Sequence, residues 1–267
     1  MPESHSNNRR PNLDEVVISA YDASFLVCAG LLAGVIGTAG GITSLISYPA
    51  LLSVGLGPLA ASVTNIVALV TCWPGSALSS RPELVGRRTW LRHWALVAAA
   101  GGALGSGLLL STPAGLFSRV VPYLLVFAAT CLLIQPRLSE WQASHHAPAN
   151  RLLLPFGLFA VSVYNGYFGA GAGIMTLALL LLSVEESVAR ANALKNMLVG
   201  AATVVSAATF VVFGHVDWAA AAPLAAGLFI GSVLGPLVAR RVPGNALRWL
   251  VALTGFGLAI RLWVAPA

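Results

Sequence analysis

Between Asp22 and Arg81 the chain runs for 58 residues without one charged side chain. A helix needs about 20 mostly apolar residues to cross the hydrocarbon layer of a membrane, so this stretch alone can cross more than once. Further charge-free runs lie between Arg92 and Arg119, Arg119 and Arg137, Arg151 and Glu185, Lys195 and Asp217, and Asp217 and Arg240, and a last apolar run covers Ala246 to Ile260. Together they make about eight hydrophobic segments, two of them unusually long. Lipid offers no partner to a backbone N–H or C=O, so a spanning segment must be a helix or a strand of a closed barrel. The runs lack the apolar–polar alternation of barrel strands. The expected fold is an all-α polytopic membrane protein.

Composition excludes the usual soluble alternatives. Hydrophobic residues are 57% of the 267 positions and charged residues 9%, with a mean hydropathy of +0.83, outside the range of soluble domains. The net charge of +6 would suggest nucleic acid in a soluble protein. Here the arginines cluster in short connections between apolar segments, where membrane topology accounts for them, and no nucleic-acid partner is expected. Residues 1–22 form a polar tail without the short apolar core and small-residue cleavage site of a removable leader, so the first span is expected to target the chain to a bacterial inner membrane. Cys28, Cys72 and Cys131 stand alone in three different segments, with no CxxC pair; they read as small core residues.

The two halves repeat one order of landmarks. Gly30-Leu-Leu-Ala-Gly34 opens the first and Gly157-Leu-Phe-Ala160 the second. Each runs into a glycine cluster, Gly37/Gly40/Gly41 and Gly166/Gly169/Gly171/Gly173, followed by Ile42-Thr43 or Ile174-Met-Thr176. Val63-Thr64-Asn65 then matches Leu194-Lys195-Asn196, Trp94 matches Trp218, and Gly105-Ser106 matches Gly231-Ser232. Such internal duplication is common in transporters. The expected organisation is a first membrane repeat at 23–135, a linker at 136–151 and a second repeat at 152–264. The linker holds His145 and His146, two adjacent side chains without further ligands, which make a poor metal site.

Two topologies follow. If all eight segments cross, the repeats run parallel. If each long glycine-broken first segment, Ala23 to Val54 and Leu152 to Val184, dips in and returns as a re-entrant pair of short helices, each repeat crosses three times and the second is inverted. The 15 basic residues then divide more unevenly between the two faces, with both termini on the poorer side, and positive-inside bias favours this inverted arrangement.

Polar groups inside apolar spans are costly and mark functional paths. No carboxylate lies deep in any span: Asp22, Glu185, Glu186 and Asp217 fall at segment ends. That argues against a relay of buried acids and against a cation site. The remaining polar groups suit an anion. A helix broken at Gly37, Gly40 and Gly41, or at Gly169, Gly171 and Gly173, presents N-terminal N–H groups and a partial positive charge at mid-depth. Thr43 and Ser44, with Asn165, add hydroxyl and amide donors beside the breaks. Asn65 and Asn196 offer amides from two related helices, and Lys195, the only lysine of the chain, offers a charge in or at the entrance of an anion path. The alternatives are that the glycines only let helices approach closely and that Lys195 snorkels to the membrane surface.

Gly55-Leu-Gly57-Pro-Leu-Ala60 fits a dinucleotide fingerprint only nominally, with no strand before it and no acidic ribose partner after it. Serine-hydrolase, phosphate-loop and zinc-protease spacings are absent. No enzyme activity and no cofactor are expected. The partners expected are the lipid bilayer and a small anionic substrate; the sequence leaves a homo-oligomer and any coupling ion undecided.

Gly34-Val-Ile-Gly-Thr-Ala-Gly-Gly41 leading to Pro49, then Ala60-Ala-Ser-Val-Thr-Asn65, and a second copy ending in Arg190-Ala-Asn-Ala-Leu-Lys-Asn196 resemble the sulfite exporter TauE/SafE family from about Phe25 to Trp263. The resemblance implies a bacterial cytoplasmic-membrane permease of about eight hydrophobic segments that moves sulfite, sulfoacetate, thiosulfate or related organic anions. The chain departs from the common pattern at Tyr164-Asn-Gly-Tyr-Phe168 and at Thr38 and Ala39, which leaves the particular anion open. A non-transporting membrane scaffold for a partner enzyme is the competing function; it would show continuous apolar packing where a permease needs a polar cavity.

Overall fold

A computed structural model describes residues 18–144, 153–184, 187–239 and 244–264. The described residues are helical with no strand. In chain order the helices are α1 (Ala20–Gly40), α2 (Thr43–Ser53), α3 (Pro58–Leu69), α4 (Cys72–Ser79), α5 (Arg81–Leu84), α6 (Arg88–Ser111), α7 (Ala114–Ser144), α8 (Leu153–Tyr167), α9 (Ala172–Ser183), α10 (Val188–Phe213), α11 (Trp218–Ala239) and α12 (Gly244–Val264).

Among the described residues six stretches are long and apolar enough to cross a membrane: Ala20–Thr38, Pro58–Ser79, Arg88–Ser111, Ala114–Ile134, Val188–Phe213 and Trp218–Gly235. The two long glycine-broken segments are each divided in two. α1 starts on a capping box in which the Ser19 hydroxyl accepts from the Asp22 N–H and the Asp22 carboxylate accepts from the Ser19 N–H, and it stops at Gly41, whose φ of 75° is left-handed. α8 stops before Gly169 and Gly171, with φ of 82° and 81°. The returning helices α2 and α9 have 11 and 12 residues, about half of a ~30 Å hydrocarbon layer at 1.5 Å per residue.

Pro58–Ser79 also crosses in two pieces, α3 and α4, offset at Val70 and Thr71. Residues 136–144, whose polarity reads as the start of a loop, continue α7 as helix. The rest of that linker, with His145 and His146, lies outside the described residues, as do Glu185, Glu186 and most of the polar tail.

Helix pairing rests on small residues. α1 lies on α11, and α6 lies on α8. A Cβ added at Gly34 would fall 2.6 Å from the Leu228 carbonyl oxygen, and one at Gly101 would fall 2.8 Å from that of Phe159. Lipid tails compete with apolar side chains on equal terms, so association depends on such close backbone approach. In both pairs the contacts advance in register: Gly30 meets Leu224, Gly34 meets Leu228 and Gly231, and Gly235 meets Thr38. α1 and α11 therefore run parallel. Leu96, Leu104, Leu108, Tyr123 and Phe127 point outward, as an apolar solvent requires.

The middle of α3 lies beside the start of α11, where the Thr64 hydroxyl accepts from the Asp217 N–H at 3.2 Å. α4 runs up the same helix: the Thr71 hydroxyl donates to the Ala225 carbonyl, and the Cys72 thiol approaches that of Leu228. The turn at 54–57 thus lies toward the start of α11, and α4 leads to the arginine-rich connection of Arg81, Arg87, Arg88 and Arg92 at the other end.

Candidate functional site

The two breaks meet. A Cβ on Gly41 would stand 2.7 Å from the Gly173 carbonyl carbon, and one on Gly173 would stand 2.7 Å from the Gly41 Cα. No side chain fits between them, so the ends of α1 and the start of α9 touch through backbone alone. Around this contact lies a cavity of about 70 Å3, room for about two waters at roughly 30 Å3 each, which is the scale of a small oxyanion.

Its wall takes Gly37, Gly41, Thr43, Ser44, Asn165, Gly169, Gly173, Lys195 and Asn196 from the residues singled out in the sequence. Two of the sequence candidates, Gly171 and Asn65, lie outside it. Gly40 is the last residue of α1. Gly171 caps α9 and packs on Ala128 of α7, where an added Cβ would come to 3.2 Å of the Ala128 Cβ. Asn65 is fully buried on α3 and accepts at 2.6 Å from the Ser47 hydroxyl of α2.

The remaining lining was not singled out by sequence: Thr38, Leu69, Cys72, Trp73, Ser76, Val199, Gly200 and Thr203. Two quartets show why. Leu69, Cys72, Trp73 and Ser76 on α3 and α4, and Asn196, Val199, Gly200 and Thr203 on α10, both follow i, i+3, i+4, i+7, one face of a helix. Extending this spacing from Asn196 would have found Thr203. Trp73 needs Gly200, because any Cβ there would enter the indole ring.

Most polar groups of the wall are already partnered. The Asn165 amide donates to the Thr203 hydroxyl at 3.1 Å. The Asn192 and Asn196 amides both donate to the Thr38 carbonyl, at 3.3 and 3.4 Å, occupying an acceptor that the end of α1 leaves free. Lys195 is different. It is only 2% exposed, and its Nζ has no hydrogen-bond partner among the described residues. It does not reach the membrane surface, so snorkelling does not describe it. The N-terminal residues of α2, Thr43 and Ser44, and Gly173 of α9 face the same space, and neither helix has a side-chain cap. The first-turn N–H groups of Ala172, Ile174 and Met175 are taken by backbone carbonyls, so the hydroxyl-bearing Thr43 and Ser44 and the Lys195 amine are what the wall offers a ligand. Among the described residues no cluster of His, Cys, Asp or Glu could hold a metal.

A family model described as sulfite exporter TauE/SafE matches residues 25–262. The chain belongs to that family. It is 26% identical to "Probable membrane transporter protein ORF9" of Sinorhizobium sp over 91% of this chain and 93% of the relative. It is 26% identical to a "Probable membrane transporter protein" of Haemophilus influenzae over 90% and 93%, and 25% identical to "Probable membrane transporter protein YfcA" of Escherichia coli K12 over 92% and 91%. No solved structure matches. With six apolar helices of spanning length, this TauE/SafE member is a multi-pass transporter of the bacterial inner membrane.

Proposed function

We propose that this permease moves a small anion, a sulfur oxyanion or organosulfonate such as sulfite, and binds it in the cavity where the two broken hairpins meet. The observation that carries this reading is Lys195: a buried amine with no hydrogen-bond partner among the described residues, beside the starts of α2 and α9, which have no side-chain cap. Burying a charge alone is expensive, and an anion in the cavity supplies the missing counter-charge while the hydroxyls of Thr43 and Ser44 donate to its oxygens. Among the described residues no carboxylate lines the wall, so none of them repels an anion there. A scaffold would have packed this centre with apolar side chains.

The reading includes two inverted repeats, α1–α7 and α8–α12. Their support is reciprocal packing: α1 lies on α11 and α6 on α8, α2 on α12 and α9 on α7, while α7 meets α12. Exchanging the halves turns each contact into another of the set. Matching the two lining quartets places Trp73 opposite Gly200 and Ser76 opposite Thr203. It also sets Asn65 against Asn192, one helical turn from the pairing with Asn196 read in the sequence.

The test is flux into proteoliposomes across a panel of sulfite, thiosulfate, sulfoacetate and chloride. Saturable uptake of one or more sulfur anions, with mutual competition, is expected. Uptake of none of them by folded protein would end the anion reading.

A further inference from the structure

The cavity leaves Asn65 outside its wall, yet α2 and α3 carry an unusual seam behind it. Ser44, Ser47 and Tyr48 share one face of α2, and Pro58, Ser62 and Asn65 share one face of α3, by helical spacing. Ser44 lines the cavity. Next along the seam, Ser47 meets Asn65 at 2.6 Å, and at its far end the Tyr48 hydroxyl donates to the Pro58 carbonyl at 3.3 Å, next to the turn at 54–57. Ser62, between them on α3, would ordinarily bond back to that same Pro58 carbonyl, four residues earlier. Instead its Oγ has no partner among the described residues, and neither has the Asn65 Nδ2, although both residues are 0% exposed.

A buried interface does not keep unpartnered donors without cause, since each costs about 1–3 kcal/mol. The corresponding seam between α9 and α10 is apolar where Leu177 and Leu180 join Ala191, Leu194 and Leu198 in one cluster, and its unpartnered atoms, Asn192 Oδ1 and Ser183 Oγ, lie on residues outside that cluster. Beside the lining residue Gly169, Phe168 stands edge-on to Tyr48 at 5.3 Å and close to Phe117 at 6.3 Å, all three buried.

We propose that the α2–α3 seam is the second half of the transport path. Ser47, Asn65 and Ser62 take the anion from the cavity, and Tyr48 passes it to the face where α3 begins. The groups are hydroxyls and an amide, donors without charge, which can hold an oxyanion weakly enough to release it. This proposal rests on the central cavity being the anion site.

Two measurements test it. Purified protein is titrated with sulfite, and the same variants are assayed for sulfite flux. Asn65→Leu and Ser62→Ala are expected to bind sulfite within about twofold of the parent but to move it about tenfold more slowly, the scale of one lost hydrogen bond to a charged group. Ser62→Thr, which keeps the hydroxyl, restores flux. Unchanged flux in both variants would overturn the seam and leave the central site standing; parallel loss of binding and flux would instead make Asn65 a support of the cavity wall, which also overturns it. The second measurement needs no substrate: in membranes, a charged thiol reagent is expected to label Ser62→Cys above the level of the parent protein, while Leu180→Cys in the matched seam stays at that level. Equal labelling of the two, or none at Ser62→Cys, contradicts the proposal. Labelling at Ser62→Cys with no sulfite bound by the parent would instead retain the path and remove sulfite as its cargo.

Discussion

Lys195 is the residue on which the chemistry turns. Replacing it with Met keeps most of its length and removes the charge, so anion affinity should fall at least about tenfold, the scale of a charge-assisted hydrogen bond, measured by equilibrium titration of folded protein. Lys195→Arg should also weaken binding, because a larger planar group must enter a cavity of about 70 Å3 from a fully packed position. Gly41 carries a different burden. Its φ of 75° and its contact with Gly173 mean that Gly41→Ala should cost about 1–3 kcal/mol, read as a lower unfolding temperature in detergent. Much of this residue scale was legible in the sequence, because a lone lysine and two glycine clusters inside apolar runs have few other uses. The pairing of Asn65 with Asn196 read in the sequence competes with the proposed register of the lining quartets, which sets Asn65 against Asn192, the same letter one turn away on the same helix face. Trp73 escaped notice and Cys72 was read as a small core residue, because apolar residues in an apolar span carry no signal until a cavity is seen beside them.

At the scale of elements, the breaks matter more than the helices. The glycine clusters marked where α1 and α8 would stop, and left-handed φ at Gly41, Gly169 and Gly171 explains why glycine is needed there. Re-entry itself was one of two open arrangements, since a long tilted helix has the same composition. The lengths of α2 and α9, 11 and 12 residues, are what a long tilted helix would not give. The continuation of α7 through 136–144 was missed because polarity was taken as loop, although a helix can extend beyond the lipid and become polar where it meets water. Close packing of α1 on α11 gives a prediction of its own. Gly227→Leu would drive a branched side chain into the backbone around the Val27 carbonyl, and it should abolish stable protein in membranes, whereas Gly107→Leu, at an open position, should be tolerated; yield of monodisperse protein measures the difference.

For the whole molecule, the proposed inverted repeats, each a hairpin that returns to its own face followed by three crossings, put the start of α1 and the end of α12 on the same side of the membrane. The arginine-rich connection between α4 and α6 lies on the other, which positive-inside bias assigns to the cytoplasm. A C-terminal reporter that is active only outside the cytoplasm should therefore be active; a reporter active only inside would reverse this orientation. The central claim is that an anion is carried through the cavity between the hairpins on the charge of Lys195. Its most direct test is sulfite uptake by proteoliposomes containing the parent protein or Lys195→Met, at equal amounts of folded protein. Saturable uptake by the parent and uptake near the empty-liposome level by Lys195→Met is the expected result; equal saturable uptake by both would contradict the claim.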